Sequence, residues 1–72
     1  MTLNELEINK AGIVESINLN NSIKRRILDL GLIQGTKVKP ILQSIAGNPR
    51  AYEIRGSLIA IRNEDANKII IK

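Results

Sequence analysis

The stretch Lys24-Arg25-Arg26-Ile27-Leu28-Asp29-Leu30-Gly31-Leu32-Ile33-Gln34-Gly35-Thr36-Lys37-Val38 constrains this chain more than any other part of it. It reads as a short amphipathic helix, a glycine stop, a tight turn and the start of a strand. Asn20-Asn21-Ser22 offers three N-cap residues in succession, so the pattern predicts a helix over about residues 22–30. Ile23, Ile27 and Leu30 recur at i, i+4 and i+7 and form one stripe that would face a core. Gly31 falls where helices end in the left-handed conformation. With Gly31 at C′, Leu32 is C″ and Ile27 is C3, the pair that makes the apolar contact of a Schellman stop. Gln34-Gly35 then centres a turn whose glycine supplies positive φ. A helix this short is marginal alone in water, so the rest of the chain must hold it by packing.

That remainder reads mostly as strands. Thr2 and Glu5 have the spacing of a capping box, which would bring Leu3 and Leu6 over the core from one short turn. Residues 11–19 read as a strand with Ile13, Ile17 and Leu19 on one face. Glu15 interrupts that face, and either a bulge or an inward glutamate at a barrel rim would resolve the conflict. Residues 36–42 form the next strand, with Lys37 and Lys39 on one side and Val38 and Pro40 on the other. The proline calls for an edge position or a bulge. Ile45-Ala46-Gly47-Asn48-Pro49 is a loop in which Pro49 keeps Asn48 extended. Residues 50–55 are a strand with Tyr52 and Ile54 inward. Gly56-Ser57 fits a two-residue II′ turn, and Ile59 and Ile61 continue inward on the return strand. Asn63-Glu64-Asp65-Ala66 is a capped turn or a single helical turn, and Ile69-Ile70-Ile71 is a last strand.

Five short strands arranged as an open sheet would expose edges. A chain of 72 residues buries only about 60% of the surface its unfolded form exposes, so the core is thin. Fourteen isoleucines and eight leucines against one aromatic residue, Tyr52, make the apolar content suited to strands. The expected fold is mainly β: one domain over residues 1–72, a small SH3-like antiparallel barrel of about five strands, with the single short helix plugging one end.

The residue types for most chemistry are missing. There is no histidine to work as a base near neutral pH and none to activate Ser16, Ser22, Ser44 or Ser57. There is no cysteine, so neither a disulfide nor a thiolate metal site can form, and the expected compartment is the cytoplasm. The carboxylates Glu5, Glu7, Glu64 and Asp65 match no calcium loop. Gly31–Lys37 is not a phosphate loop: it has three residues between its glycines, reverses the Lys-Thr order and follows a helix. The expectation is therefore no catalytic, cofactor or metal-ligating residue, and no enzyme. Apolar runs are too short for a membrane span, and the first residues lack the pattern of a signal peptide.

The net charge of +4 suits an acidic partner, a membrane surface or nucleic acid, and equally an ordinary solvated surface. Lys24-Arg25-Arg26 could hold phosphates without sequence preference. Single-strand binders stack bases on exposed aromatics, however, and the one tyrosine points inward, so nucleic acid is not the expected partner. A protein surface remains. On the helical wheel Leu28 lies about 140° from Ile23, between Lys24 and Arg25 and off the core stripe. Either another layer covers it or it faces a partner. Ile45 and Ala46 in the loop before Pro49 are the second apolar candidate. The candidate partner-binding residues are Arg25, Leu28, Ile45, Ala46, Gly47, Asn48 and Pro49.

Taken in order, Thr2-Leu3-x-x-Leu6, Arg25-Arg26-Ile27-Leu28-Asp29-Leu30-Gly31-Leu32, Gly35, Val38, Gly47-Asn48-Pro49 and Arg55-Gly56-x-x-Ile59-Ala60-Ile61-Arg62 resemble the ferrous-iron transport protein A (FeoA) family across essentially the whole chain. Two departures stand out: Gln34 where the family often has proline, and Ile45-Ala46 where it often has proline and then a large apolar residue. The resemblance implies an SH3-like barrel in the cytoplasm. It also implies an accessory role in bacterial Fe(II) uptake, with a permease carrying a GTP-binding domain as partner and membrane contact only through that permease. Two other readings share the fold: a nonspecific nucleic-acid-binding barrel, and the SH3-like regulatory module of a metal-dependent transcriptional repressor. The initial methionine and the lack of a DNA-reading helix favour a free-standing protein over the latter.

Overall fold

The computed structural model describes residues 1–72, with every side chain except that of Asn21. A 3₁₀ turn, Leu3–Glu5, is followed by β1 (Gly12–Ile17), α1 (Asn21–Asp29), β2 (Lys37–Gln43), β3 (Arg50–Ile54), β4 (Ser57–Ile61), the one-turn α2 (Asn63–Ala66) and β5 (Ile69–Ile71). The strands form one antiparallel sheet in the order β4-β3-β2-β1-β5. The fold is the expected one, mainly β with five strands and a short helix.

A single core runs from Leu3 and Leu6 through Val14, Leu19, Ile27, Leu32, Val38, Tyr52 and Ile54 to Ile61, Ala66, Ile69 and Ile71. Two bulges bend the sheet around it. In β1 the register against β5 shifts between Val14 and Ser16, leaving Glu15 as the extra, exposed residue. The bulge resolves the glutamate conflict, and it corrects the predicted face. Val14 is inward and Ile13 outward, because the extra residue lets Val14 and Ile17 share a face although three positions apart. In β2 the shift lies between Pro40 and Leu42. Pro40 is not on an edge strand, since β2 is central. It is tolerated because β1 pairs only with Lys37 and Val38, so its missing N–H leaves no gap in a ladder. The Pro40 carbonyl on that same side accepts from Asn9 N at 2.7 Å.

The helix–turn–strand unit forms as the sequence predicts. The Asn20 side chain caps α1 by accepting from Ile23 N at 3.2 Å. Leu32 N donates to Ile27 O at 3.1 Å and Gly31 N to Leu28 O at 2.9 Å, the paired bonds of a Schellman stop with Gly31 at φ 98°. Thr36 adds a lock that the sequence did not announce. Its buried hydroxyl accepts from Ile33 N and donates to Gly31 O, fixing the turn to the helix end. The core stripe is narrower than predicted: Ile27 is buried, Ile23 is half-buried, and Leu30 is 43% exposed. At the β3–β4 hairpin, Arg55 (φ 52°) and Gly56 (φ 82°) are the two central residues, with Ile54 paired to Ser57. Positive φ at both positions makes this an I′ turn one residue earlier than the predicted II′ turn.

Candidate functional site

The apolar residues that the fold does not bury define the candidate surfaces. Leu28 is on the outer side of α1, 39% exposed, and no second layer covers it. Arg25 is exposed on the same helix, three residues before it. Ile27, with half-buried Ile23, faces the core, and this leaves Leu28 out: residues adjacent in sequence sit about 100° apart on a helix.

The loop residues gather at the tip of the β2–β3 hairpin. Ile45 is fully exposed, Ala46, Asn48 and Pro49 are exposed, and Gly47 is half-buried at φ 79°. This tip is tied down on both sides. Asn48 N donates to Ser44 Oγ at 3.0 Å, and Gly47 N to Ser44 O at 2.8 Å. Asn48 Oδ1 accepts from Asn63 N at 3.0 Å, and Asn63 Nδ2 donates to Gly47 O at 3.2 Å. The loop is thereby fastened to the first residue of α2. Arg25 and Leu28 thus stand on one element, and Ile45, Ala46, Gly47, Asn48 and Pro49 on another.

Between α1 and β4 lies a groove that sequence reasoning missed. It is lined chiefly by Ile23, Ile27, Leu30, Leu58 and Ile59, with Arg26, Arg62 and Asp65 on its rim. Leu28 and the 45–49 loop lie outside it. The signal that could have located it is the outward position of Leu30, which depends on how the helix rolls against the sheet and not on its periodicity.

Arg50 sits in the core and donates from Nη1 to Asn4 O at 2.8 Å and from Nη2 to Leu6 O at 2.6 Å. Its guanidinium carbon lies 5.5 Å from the centre of the Tyr52 ring. Burial pushes the Tyr52 phenol above its ordinary value, with the charge of Arg50 partly opposing. Among the described residues no three acidic side chains come together to hold a metal ion. No described helix is long and apolar enough to cross a membrane.

The FeoA domain profile matches residues 1–72. The solution structure of FeoA from Chlorobium tepidum superposes with a TM-score of 0.94 at 31% identity, covering 99% of this chain and 68% of that one. FeoA from Stenotrophomonas maltophilia, determined with zinc, superposes at 0.88 with 28% identity, over 100% of this chain and 89% of that one. That protein is described as a prokaryotic SH3 domain protein and a candidate activating factor of ferrous iron transport. A manganese-dependent transcriptional repressor shares the fold at a TM-score of 0.86 with 12% identity, this chain spanning 40% of it. No protein of curated function matches the chain. A fold with paired bulges, a Schellman-stopped helix and an exposed leucine beside arginine is thus found together with a full-length match, and the chain belongs to the FeoA domain family.

Proposed function

We propose that this chain is a non-enzymatic accessory of ferrous-iron uptake, acting in the cytoplasm as a protein-binding module on an Fe(II) permease and its GTP-binding domain. Family membership links it to ferrous iron transport. The observation that carries the binding role is Leu28: a large apolar side chain held exposed near Arg25, off the side of the helix where Ile27 enters the core. An apolar anchor with a cationic neighbour suits a partner pocket with an acidic rim. Ile45, exposed on its fastened loop, is a second apolar anchor. Iron is the cargo of the permease on this reading, and this chain supplies contacts only.

The test is co-purification of the permease with Leu28→Asp and Ile45→Asp variants, alongside iron-limited growth. Leu28→Asp is expected to melt like the parent and to lose both the permease and growth. Arg25→Glu is expected to weaken association and flatten its salt dependence. A folded Leu28→Asp protein that still retains the permease and supports growth would remove this surface from the reading.

A further inference from the structure

One edge of the sheet is sealed by the chain itself. Beside β5, Thr2 bridges to Ile70 and Ile71 N donates to Met1 O at 2.7 Å. At the other end β4 pairs with β3 alone among the described residues. The two-residue turn fixes which of its groups are free. Ile54 and Ser57 close that turn, so Ser57, Ile59 and Ile61 direct their backbone groups to β3. Leu58 and Ala60 direct theirs outward. The strand Ser57-Leu58-Ile59-Ala60-Ile61 contains no charge and no proline, two devices that ordinarily blunt an exposed edge. Alongside lies the α1–β4 groove, with half-buried Ile23 and Ile59 beneath and exposed Leu30 and Leu58 at its sides.

We infer that β4 accepts an extended peptide from a partner protein as a sixth strand. Its backbone would pair with Leu58 and Ala60, an apolar side chain would enter the groove, and acidic flanks would meet Arg26 and Arg62. Strand addition takes affinity from main-chain hydrogen bonds and specificity from pockets for alternate side chains, and the edge and groove supply both. Charge decides the occupant. Arg62 is shared with Glu64 at 3.7 Å, and Asp65 also stands at the rim, but Arg26 has no ion pair among the described residues. A second copy of the chain is disfavoured, because its β4 is flanked by Arg55 and Arg62 and brings no acidic flank to meet Arg26; pairing Leu58 with Ala60 of the other copy would set Arg62 opposite Gly56. Leu28 and the 45–49 loop lie outside the groove, so this inference stands or falls apart from the permease surface.

The experiment uses a short synthetic peptide with acidic residues at both ends and a valine–leucine–valine centre, against a control with lysines at the ends. Nuclear magnetic resonance is expected to show the Leu58 and Ala60 amides slowed in hydrogen exchange on adding the acidic peptide. That peptide should bind about tenfold more tightly than the control. Ala60→Pro removes one outward N–H at an edge position where proline is tolerated, and should abolish binding without changing the melting curve. Arg26→Glu, on the solvent side of the helix, should invert the preference between the two peptides. Four outcomes would overturn the inference: no binding of either peptide at millimolar concentration, perturbations confined to another surface, undiminished binding by a folded Ala60→Pro variant, or sedimentation showing that β4 pairs two copies of the chain.

Discussion

Arg50 Nη2 donates to the carbonyl of Leu6 at 2.6 Å, joining residues 44 positions apart and fastening the N-terminal 3₁₀ turn onto β3. A second bond, from Nη1 to Asn4 O, makes the guanidinium a two-pronged clamp. Removing it leaves two carbonyls without their donor. Arg50→Leu is expected to cost about 2–4 kcal/mol, since hydrogen bonds to charged groups are worth more than neutral ones and the orphaned acceptors add desolvation. Arg50→Lys should recover only part, because an ammonium cannot span both carbonyls as a planar fork does. Urea unfolding of the two variants checks this, and a parent-like midpoint for Arg50→Leu would contradict it.

The roll of α1 against the sheet separates two residues that periodicity places on one stripe. Ile27 is 6% exposed, whereas Leu30 is 43% exposed. Ile27→Ala should therefore cost about 2–4 kcal/mol, within the range for buried large-to-small changes. Leu30→Ala should stay within about 0.5–1 kcal/mol of the parent, as a surface change does. Thermal melts of the pair should differ widely. Equal destabilisation would mean that α1 is rolled further inward.

Gly12 has no room for a side chain. A Cβ built there would lie 2.6 Å from Ile71 Cγ2 and 3.1 Å from a Leu6 methyl. The isoleucine methyl is attached directly to a stiff, β-branched carbon and cannot swing aside cheaply. Gly12→Ala gains roughly 0.4–1 kcal/mol by restricting the unfolded chain. Overpacking costs about 1–3 kcal/mol, so a net loss of stability is expected. A chemical denaturation curve decides the sign.

Tyr52 gives the protein a built-in reporter of alkaline unfolding, because it is the only aromatic residue. Its phenol is raised above the ordinary 10.0, chiefly by burial. The folded state thus prefers the neutral form, and the unfolded chain gives up the proton first. Stability from this group is whole below pH 10 and declines as pH rises from there through the folded value. Phenolate absorbance should appear above the ordinary tyrosine range and coincide with loss of the β circular dichroism signal. Phenolate forming near 10 in a folded protein would show that the ring is not desolvated.

Most of the architecture is written locally. Asn20, Gly31 and Gly35 each impose a backbone state, so the helix, its stop and the turn into β2 can be read from them before any tertiary contact is known. Glu15 and Pro40 signalled irregularities, and both lie at bulges. What a bulge does to the residues around it was not legible, because one extra residue reverses the inside and the outside of everything before it. That is why Val14, and not Ile13, is in the core. The burial of Arg50 was equally hidden: its two acceptors lie more than forty residues away, and no local pattern connects them. Leu28 was singled out by the helical wheel, but whether it was covered depended on what packs outside α1. The α1–β4 groove required the three-dimensional placement of both its walls.

The bonds from Asn63 to Gly47 and Asn48 have a bearing on the entropy of association. A flexible hairpin tip would have to be immobilised whenever a partner gripped Ile45, and that ordering would subtract from affinity. Here α2 already holds Gly47 and Asn48, so less of that ordering would remain to be done on binding. Asn63, which lies outside the loop itself, would then set how tightly the loop can be held.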